Sequence, residues 1–370
     1  MPVSQTNPHD GVAANTVTGH ALDTKADKLV SYPLQYRGYM YDAAQHHRIA
    51  VVIPCFRVAK HILGVCQSIP EIVELIYVVD DACPERSGQI VLENATDPRL
   101  KVLFHEQNQG VGGAVMSGYQ AALDDGADII VKIDGDGQMD ASLIQYFVQP
   151  IVSGLADYTK GNRFYDLASL KSMPRIRIFG NAVLSLLNKL SSGYWTIFDP
   201  TNGYTAVHAN VCRRLPFSKI SSRYFFETDM LFRLNTLRAM VMDIPMDAHY
   251  ETEISNLKVS HIAGEFLVKH VRNFCKRIGY NYFLRDMSIG SIELLFGVPM
   301  MLFGVLFGLH GWILSSQTLV LATAGTVMIA AMPILLGMQL ILSFIGHDIA
   351  SVPRHAIHRL LQSNSIKHLS

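Results

Sequence analysis

The chain has 370 residues, and its 31 lysines and arginines balance 31 aspartates and glutamates, so the formal net charge is zero. That balance excludes a globally basic nucleic-acid binder, and a hydrophobic content of 49% directs attention to membrane segments. The five cysteines (Cys55, Cys66, Cys83, Cys212, Cys275) are scattered and form no C-x-x-C pair, so neither a zinc site nor a disulfide framework is expected and a reducing compartment fits.

In the N-terminal tail at 1–47, the first 30 residues show no apolar core of signal-peptide type. Roughly the first 30, rich in Thr, Asn, Asp and Ala without a period, are expected to be disordered. The Tyr-rich Ser31–Asp42 is expected to pack on the domain that follows.

From 48 to 262 the pattern alternates. Arg48–Phe56, Glu74–Ala82, Lys101–Asn108 and Ala127–Gly137 read as strands, while Ala59–Ile69 and Gly110–Gly126 read as helical. Such alternation predicts an α/β domain with a mostly parallel sheet covered on both faces. Asp80, Asp81, Asp134 and Asp136 fall at carboxyl ends of predicted strands, where sheets of this kind bind ligands, so they are expected to share one cleft. Gln109–Gly118 is not a dinucleotide loop, since Val115 stands where G-x-G-x-x-G needs its third glycine. The 15 histidines show no metal-ligand spacing.

Residues 263–287 mix aromatic and basic residues at helical spacing, as in an amphipathic helix on a membrane face. Within 288–346, Leu294–Leu314 and Thr318–Gly346 contain no Asp, Glu, Lys or Arg, and each exceeds the roughly 20 residues that span a bilayer. With a short turn near Ser315–Gln317 they predict a transmembrane hairpin. Lys269, Arg272, Lys276, Arg277 and Arg285 precede it, and Arg354, Arg359 and Lys367 follow in a tail at 347–370. By the positive-inside rule both flanks, and the large domain with them, are expected to be cytoplasmic.

Val131–Asp140, VKIDGDGQMD, sets three aspartates directly after an apolar run. A solvated turn explains an isolated D-x-D. The alternative is a divalent cation, Mg²⁺ or Mn²⁺, on hard oxygens: Asp134 and Asp136 share a side on an ideal strand, and the Gln138 carbonyl continues the alternation.

The ordered blocks VVIPCF, IYVVDDACPERS, NQGVGGAVMSGYQAA, IDGDGQMD, GNRF, DPTNGYTAV, FFETDML and SNLKV carry a more specific signal. Through them Ile49–Lys258 resembles family 2 glycosyltransferases of the GT-A fold, nearest to the dolichol-phosphate-mannose-synthase-like and bacterial polyprenyl-phosphate enzymes. The resemblance implies that Pro54, Asp80, Asp81 and Asp134 meet a UDP- or GDP-sugar and that Asp134, Asp136 and Gln138 hold the metal. It implies that Arg163 and Lys258 face phosphate oxygens, that Asp199–Tyr204 and Glu227 shape the sugar and acceptor side, and that the anomeric carbon inverts. Asp136, Arg163, Glu227 and Lys258 are thus the expected catalytic set. Two departures stand out: Phe56 is followed by Arg57 and Val58 where Asn and Glu are common, and MDAHYETEISNLKV lacks an Arg before its Lys, with His249 near that place.

The implied reaction moves one sugar from the nucleotide to polyprenyl phosphate at the membrane, with Arg175, Arg177 and Lys258 suited to the lipid phosphate. A processive polysaccharide synthase is disfavoured, because neither Trp195 nor Trp312 is preceded by Arg, as a Q-x-x-R-W block requires. Another lipid or glycan acceptor and a non-catalytic membrane scaffold of the same fold are the alternatives. Association into homo-oligomers through the spans is left open.

Overall fold

A computed structural model describes residues 47–165, 175–246 and 259–361, without the side chains of 175–177 and 259–263. The N-terminal expectations, Lys258 and His249 therefore lie outside the described residues, as do the side chains of Arg175 and Arg177.

The domain is built on seven strands: β1 (Ile49–Cys55), β2 (Leu75–Asp80), β3 (Leu100–Phe104), β4 (Ile129–Lys132), β5 (Tyr158–Asn162), β6 (Thr205–His208) and β7 (Val241–Pro245). They lie in the order β3-β2-β1-β4-β6-β5-β7, with β6 antiparallel to both neighbours and every other pairing parallel. This is the mostly parallel α/β arrangement that the alternation of strands and helices predicts. β1 is wholly buried and β3 sits at an edge, partly exposed. Strand alternation divides the core between two faces. Ala50, Val52 and Ile130 pack beneath α3 (Val111–Asp124) and α6 (Phe226–Leu237). Ile49, Val51, Ile53, Ile129 and Val131 pack on the other face, against α1 (Ile62–Ser68) and α4 (Ile144–Val152). The short α2 (Ser87–Asn94) follows β2.

The fourth strand is shorter than the sequence suggests. It stops at Lys132, and Asp134 and Asp136 sit in the turn beyond it. Two glycines, Gly135 and Gly137, punctuate that segment, and Gly137 has φ +80°, which a strand does not accommodate. The two aspartates are therefore presented by a turn rather than by strand pleating.

The helix expected at 263–287 is α7 (Val259–Ile278), continued by π-helical turns over Gly279–Arg285. One face of it packs on α5 (Arg175–Ser192) and α6: Ser191 Oγ lies 2.8 Å from His270 Nδ1, and Asn273 Nδ2 donates to Asp229 at 2.8 Å. Leu267, Val268 and Val271 remain exposed on another face.

The apolar segments form α8 (Ile289–Thr318) and α9 (Ala324–Ala350), with mean hydropathies of 2.1 and 2.2. Only 11% of the most apolar window in each is buried, and both are long and apolar enough to cross a membrane. Their backbones approach where Gly297 and Gly337 meet, as small residues permit between apolar helices. The turn falls at residues 319–323, a few positions later than expected, because α8 continues through Ser315–Gln317.

Residues 351–361, after α9, pack on the domain. Val352, Ile357 and Leu361 pack against the core, and the backbone N–H groups of Ile357 and His358 donate to the Asp157 carboxylate at 2.8–3.0 Å. Burial of apolar groups and satisfaction of an interior carboxylate hold this segment on the domain.

Candidate active site

At the carboxyl ends of β1, β2 and β4 a cavity of about 580 Å³ opens. Of the expected site residues, Pro54, Asp81, Asp134, Asp136 and Glu227 line it together, with Lys132, Thr201 and Arg223. Asp80, Gln138 and Arg163 are not among the lining residues.

The adjacent aspartates after β2 have separate tasks. Asp80 accepts hydrogen bonds from Cys83 N at 2.7 Å and Gly88 N at 2.6 Å, placing a carboxylate at the start of α2, where the helix dipole favours it. It serves the turn rather than the cavity. Asp81 accepts from Gln109 N at 2.8 Å and Gly110 N at 2.7 Å, and His105 Nδ1 lies 2.8 Å from its Oδ1. Gly110 has φ +89°, so the glycines before α3 provide the backbone shape that turns these N–H groups onto Asp81.

Asp136 accepts from the backbone N–H of Gln138 at 3.0 Å. Gln138 thus supports the turn through its main chain, with its side chain outside the cavity lining. Asp134 faces Lys132, whose Nζ lies 2.6 Å from Asp134 Oδ1. Arg163 forms a two-pronged pair with buried Asp199, at 2.8 and 3.1 Å, and reaches Thr201 Oγ1 at 3.3 Å. It stands behind the wall that Thr201 gives to the cavity.

Glu227 enters from the first turn of α6. Burial pushes its carboxyl up to about 7, although Lys132 and Lys160 pull it the other way. Burial takes Lys160 down to about 8, against the opposing pull of Glu227 and Asp199. Asp229, two residues further, turns away and accepts from Ser221 N and Oγ, both at 2.9 Å.

Sequence reasoning missed Lys132 and Lys160, which are 1% and 0% exposed. The signal for Lys132 is a lysine inside an apolar run, IIVKI, whereas DYTKGN around Lys160 is polar and carries no such signal. Buried lysines are rare unless paired, so such a position marks a polar site.

Among the described residues, no group of three or more His, Cys, Asp and Glu is placed to hold a metal ion by itself. The donor set is instead two partly exposed carboxylates, Asp134 and Asp136, with an ammonium standing against one of them. Two carboxylates fit Mg²⁺ or Mn²⁺, which commonly complete their coordination with water and ligand phosphate oxygens.

Residues 50–215 match the family model described as Glycosyl transferase family 2. The UDP-N-acetylglucosamine–dolichyl-phosphate N-acetylglucosaminyltransferase of Methanococcus voltae is 27% identical over 234 residues, covering 60% of this chain and 92% of that protein. The undecaprenyl-phosphate mannosyltransferase of Micrococcus luteus is 28% identical over 232 residues, covering 61% and 93%. A crystal structure of glucosyl-3-phosphoglycerate synthase from Mycobacterium tuberculosis, with Mn²⁺, UDP and phosphoglyceric acid, is similar at TM-score 0.48 and 17% identity, over 63% of this chain and 79% of that one.

Proposed function

We propose, for a chain that carries a glycosyl transferase family 2 domain at residues 50–215, that it transfers one sugar from a UDP- or GDP-sugar to a polyprenyl phosphate at the cytoplasmic membrane face. The observation that carries the reading is the shared cavity joining Pro54, Asp81, both D-x-D aspartates and Glu227, in a domain packed against the base of an apolar helical hairpin. Relatives named for transfer to dolichyl and undecaprenyl phosphate support the acceptor class.

In this reading Asp81 and Pro54 receive the nucleoside end of the donor. Asp134 and Asp136 hold Mg²⁺ or Mn²⁺, which when bound neutralises charge on the departing diphosphate. Glu227 reaches the sugar and acceptor side from α6. Arg163, held by Asp199 and Thr201, shapes the wall there, and Lys258 supplies phosphate contact. A polyprenyl phosphate is anionic near neutral pH and needs no strong base to attack. The protein's main work is then to hold two anions in line and offset their repulsion. A single displacement inverts the anomeric carbon.

Arg277, in the helix before the hairpin, pairs with Asp348 in the last turns of α9, which supports placing these segments on the domain's side of the bilayer. Arg277 is neutralised there. Lys269 pairs with Glu265 at 2.7 Å, and Arg272 and Lys276 are the further charges on α7 that favour the cytoplasmic side.

The test is a product assay. The protein in mild detergent, with Mn²⁺ or Mg²⁺ and a short polyprenyl phosphate, is offered UDP- and GDP-sugars, and lipid products are read by mass spectrometry. A metal-dependent glycolipid of one new mass is expected. Nucleotide release without glycolipid points to another acceptor, and binding without release to a scaffold.

A further inference from the structure

The donor diphosphate of the proposed reaction is anionic, yet four side chains lining the cavity are carboxylates: Asp81, Asp134, Asp136 and Glu227. The cationic side chains among the lining residues are Lys132 and Arg223. Arg223 is exposed, whereas Lys132 is 1% exposed. Strand alternation sends the Lys132 stem to the same face as Ile130, below α6, where its Nζ stands 5.6 Å from the Phe226 ring centroid. The ammonium ends 2.6 Å from Asp134 Oδ1. Behind the pair is Gly203: a Cβ there would overlap both the ammonium and the Asp134 carboxylate, so the backbone of the DPTNGY block leaves room for this pair. Burying an ammonium is costly unless it is paired, and here the partner is a residue placed to hold the metal.

We propose that Lys132 is a positioning residue that acts as a resident cation of the cavity, competing with the divalent ion for Asp134 and supplying, without any metal, part of the positive charge that the donor diphosphate meets. This rests on the diphosphate reading above. It gives metal and nucleotide opposite responses. Removing one positive charge a few ångströms away favours a cation and disfavours an anion. A lysine that merely filled space would, when replaced, weaken both ligands or neither.

The experiment uses the full chain in detergent. Calorimetry measures Mn²⁺ alone, and UDP and GDP each with EDTA and with Mn²⁺, while circular dichroism monitors folding. Lys132→Met and Lys132→Gln are expected to bind Mn²⁺ about tenfold more tightly and the metal-free nucleotide about tenfold more weakly. Asp134→Asn, which leaves the lysine intact, is expected to lose Mn²⁺ binding while binding metal-free nucleotide several-fold more tightly, because the ammonium is released from its carboxylate. This arm decides the matter even where both lysine variants fail to fold. Weakening of both ligands in a folded lysine variant, or no gain in metal-free nucleotide binding by Asp134→Asn, overturns the proposal. A wild-type protein that binds neither UDP nor GDP, with or without Mn²⁺, overturns the donor reading itself.

Discussion

Arg277 holds Asp348 in a two-pronged ion pair, with nitrogen–oxygen distances of 2.6 and 3.0 Å, across 71 residues of chain. Both side chains are nearly excluded from solvent. Trp195 Nε1 donates to the same carboxylate at 2.8 Å and the Tyr282 hydroxyl at 2.7 Å, while Arg277 also donates to the Leu190 carbonyl at 2.8 and 3.2 Å. One node therefore fastens the end of α5, the helix before the hairpin and the last turns of α9.

Breaking that node on one side leaves a charge buried without its partner. Arg277→Met is expected to cost about 3–5 kcal/mol. Adding Asp348→Leu should recover much of the loss, because the orphaned carboxylate goes as well. Thermal unfolding in detergent measures both, and a double variant no more stable than the single one argues against the node as described.

The two halves of the metal turn are expected to differ. Asp134→Asn should abolish metal-dependent donor binding while the far-ultraviolet spectrum stays unchanged. Gln138→Ala should change Mn²⁺ affinity by less than about threefold, since its backbone N–H, which survives the substitution, makes the bond to Asp136. Calorimetry with Mn²⁺ and UDP or GDP separates them, and a tenfold or greater loss in Gln138→Ala would restore its side chain to the metal site.

Glu227 should leave a mark on the pH dependence of stability. Its folded pKa of about 7 lies above the ordinary carboxylate value, so between those two values the folded state binds more protons than the unfolded state. Stability from this group is full below the ordinary value and falls as pH rises to about 7. Glu227→Gln cannot ionise and should flatten that part of the curve. Melting curves from pH 4.5 to 8 show it, and parallel profiles for wild type and variant would contradict it.

The segment after α9 predicts acid sensitivity. Burial alone would raise the Asp157 pKa, but the His358 side chain and backbone N–H groups of Ile357, Met240 and His358 lower it on balance. Its contribution is present above the ordinary carboxylate value and is lost as pH falls through the depressed one. His208, stacked on His358 at 4.2 Å, is lowered to about 3 by burial first and by His358 next. Its contribution is lost as pH drops from about 6.5 towards 3, because the unfolded state takes the proton first. Asp157→Asn is expected to cost about 2 kcal/mol, and ending the chain after Ala350 more than that. The measurement is the melting temperature against pH; a truncated protein as stable as the full chain would show the segment to be a passive tail.

Several particulars are legible in the sequence. The β-branched run ending in Asp81 and the run before the D-x-D turn announce strands whose carboxyl ends open on one cavity, because a parallel sheet needs apolar strands and exposes its loops there. Other particulars are not. Asp80 and Asp81 are identical in sequence terms, and only the position of α2 turns one inward to Cys83 and Gly88. β4 ends at Lys132 rather than at the expected Gly137, since a glycine-rich turn carries the same alternation as a strand.

What the sequence determined by itself was local and periodic: apolar runs long enough for strands and spans, glycines where the chain turns, and an ordered series of blocks around carboxylates. What only the tertiary structure decided was pairing across distance. Lys132 beside Asp134, Arg277 against Asp348 and His358 on Asp157 each place a charge or polar group in the interior opposite a partner. Interior charge is tolerated only when a partner is brought to it, and which element brings the partner depends on how helices and strands pack, which no local pattern encodes.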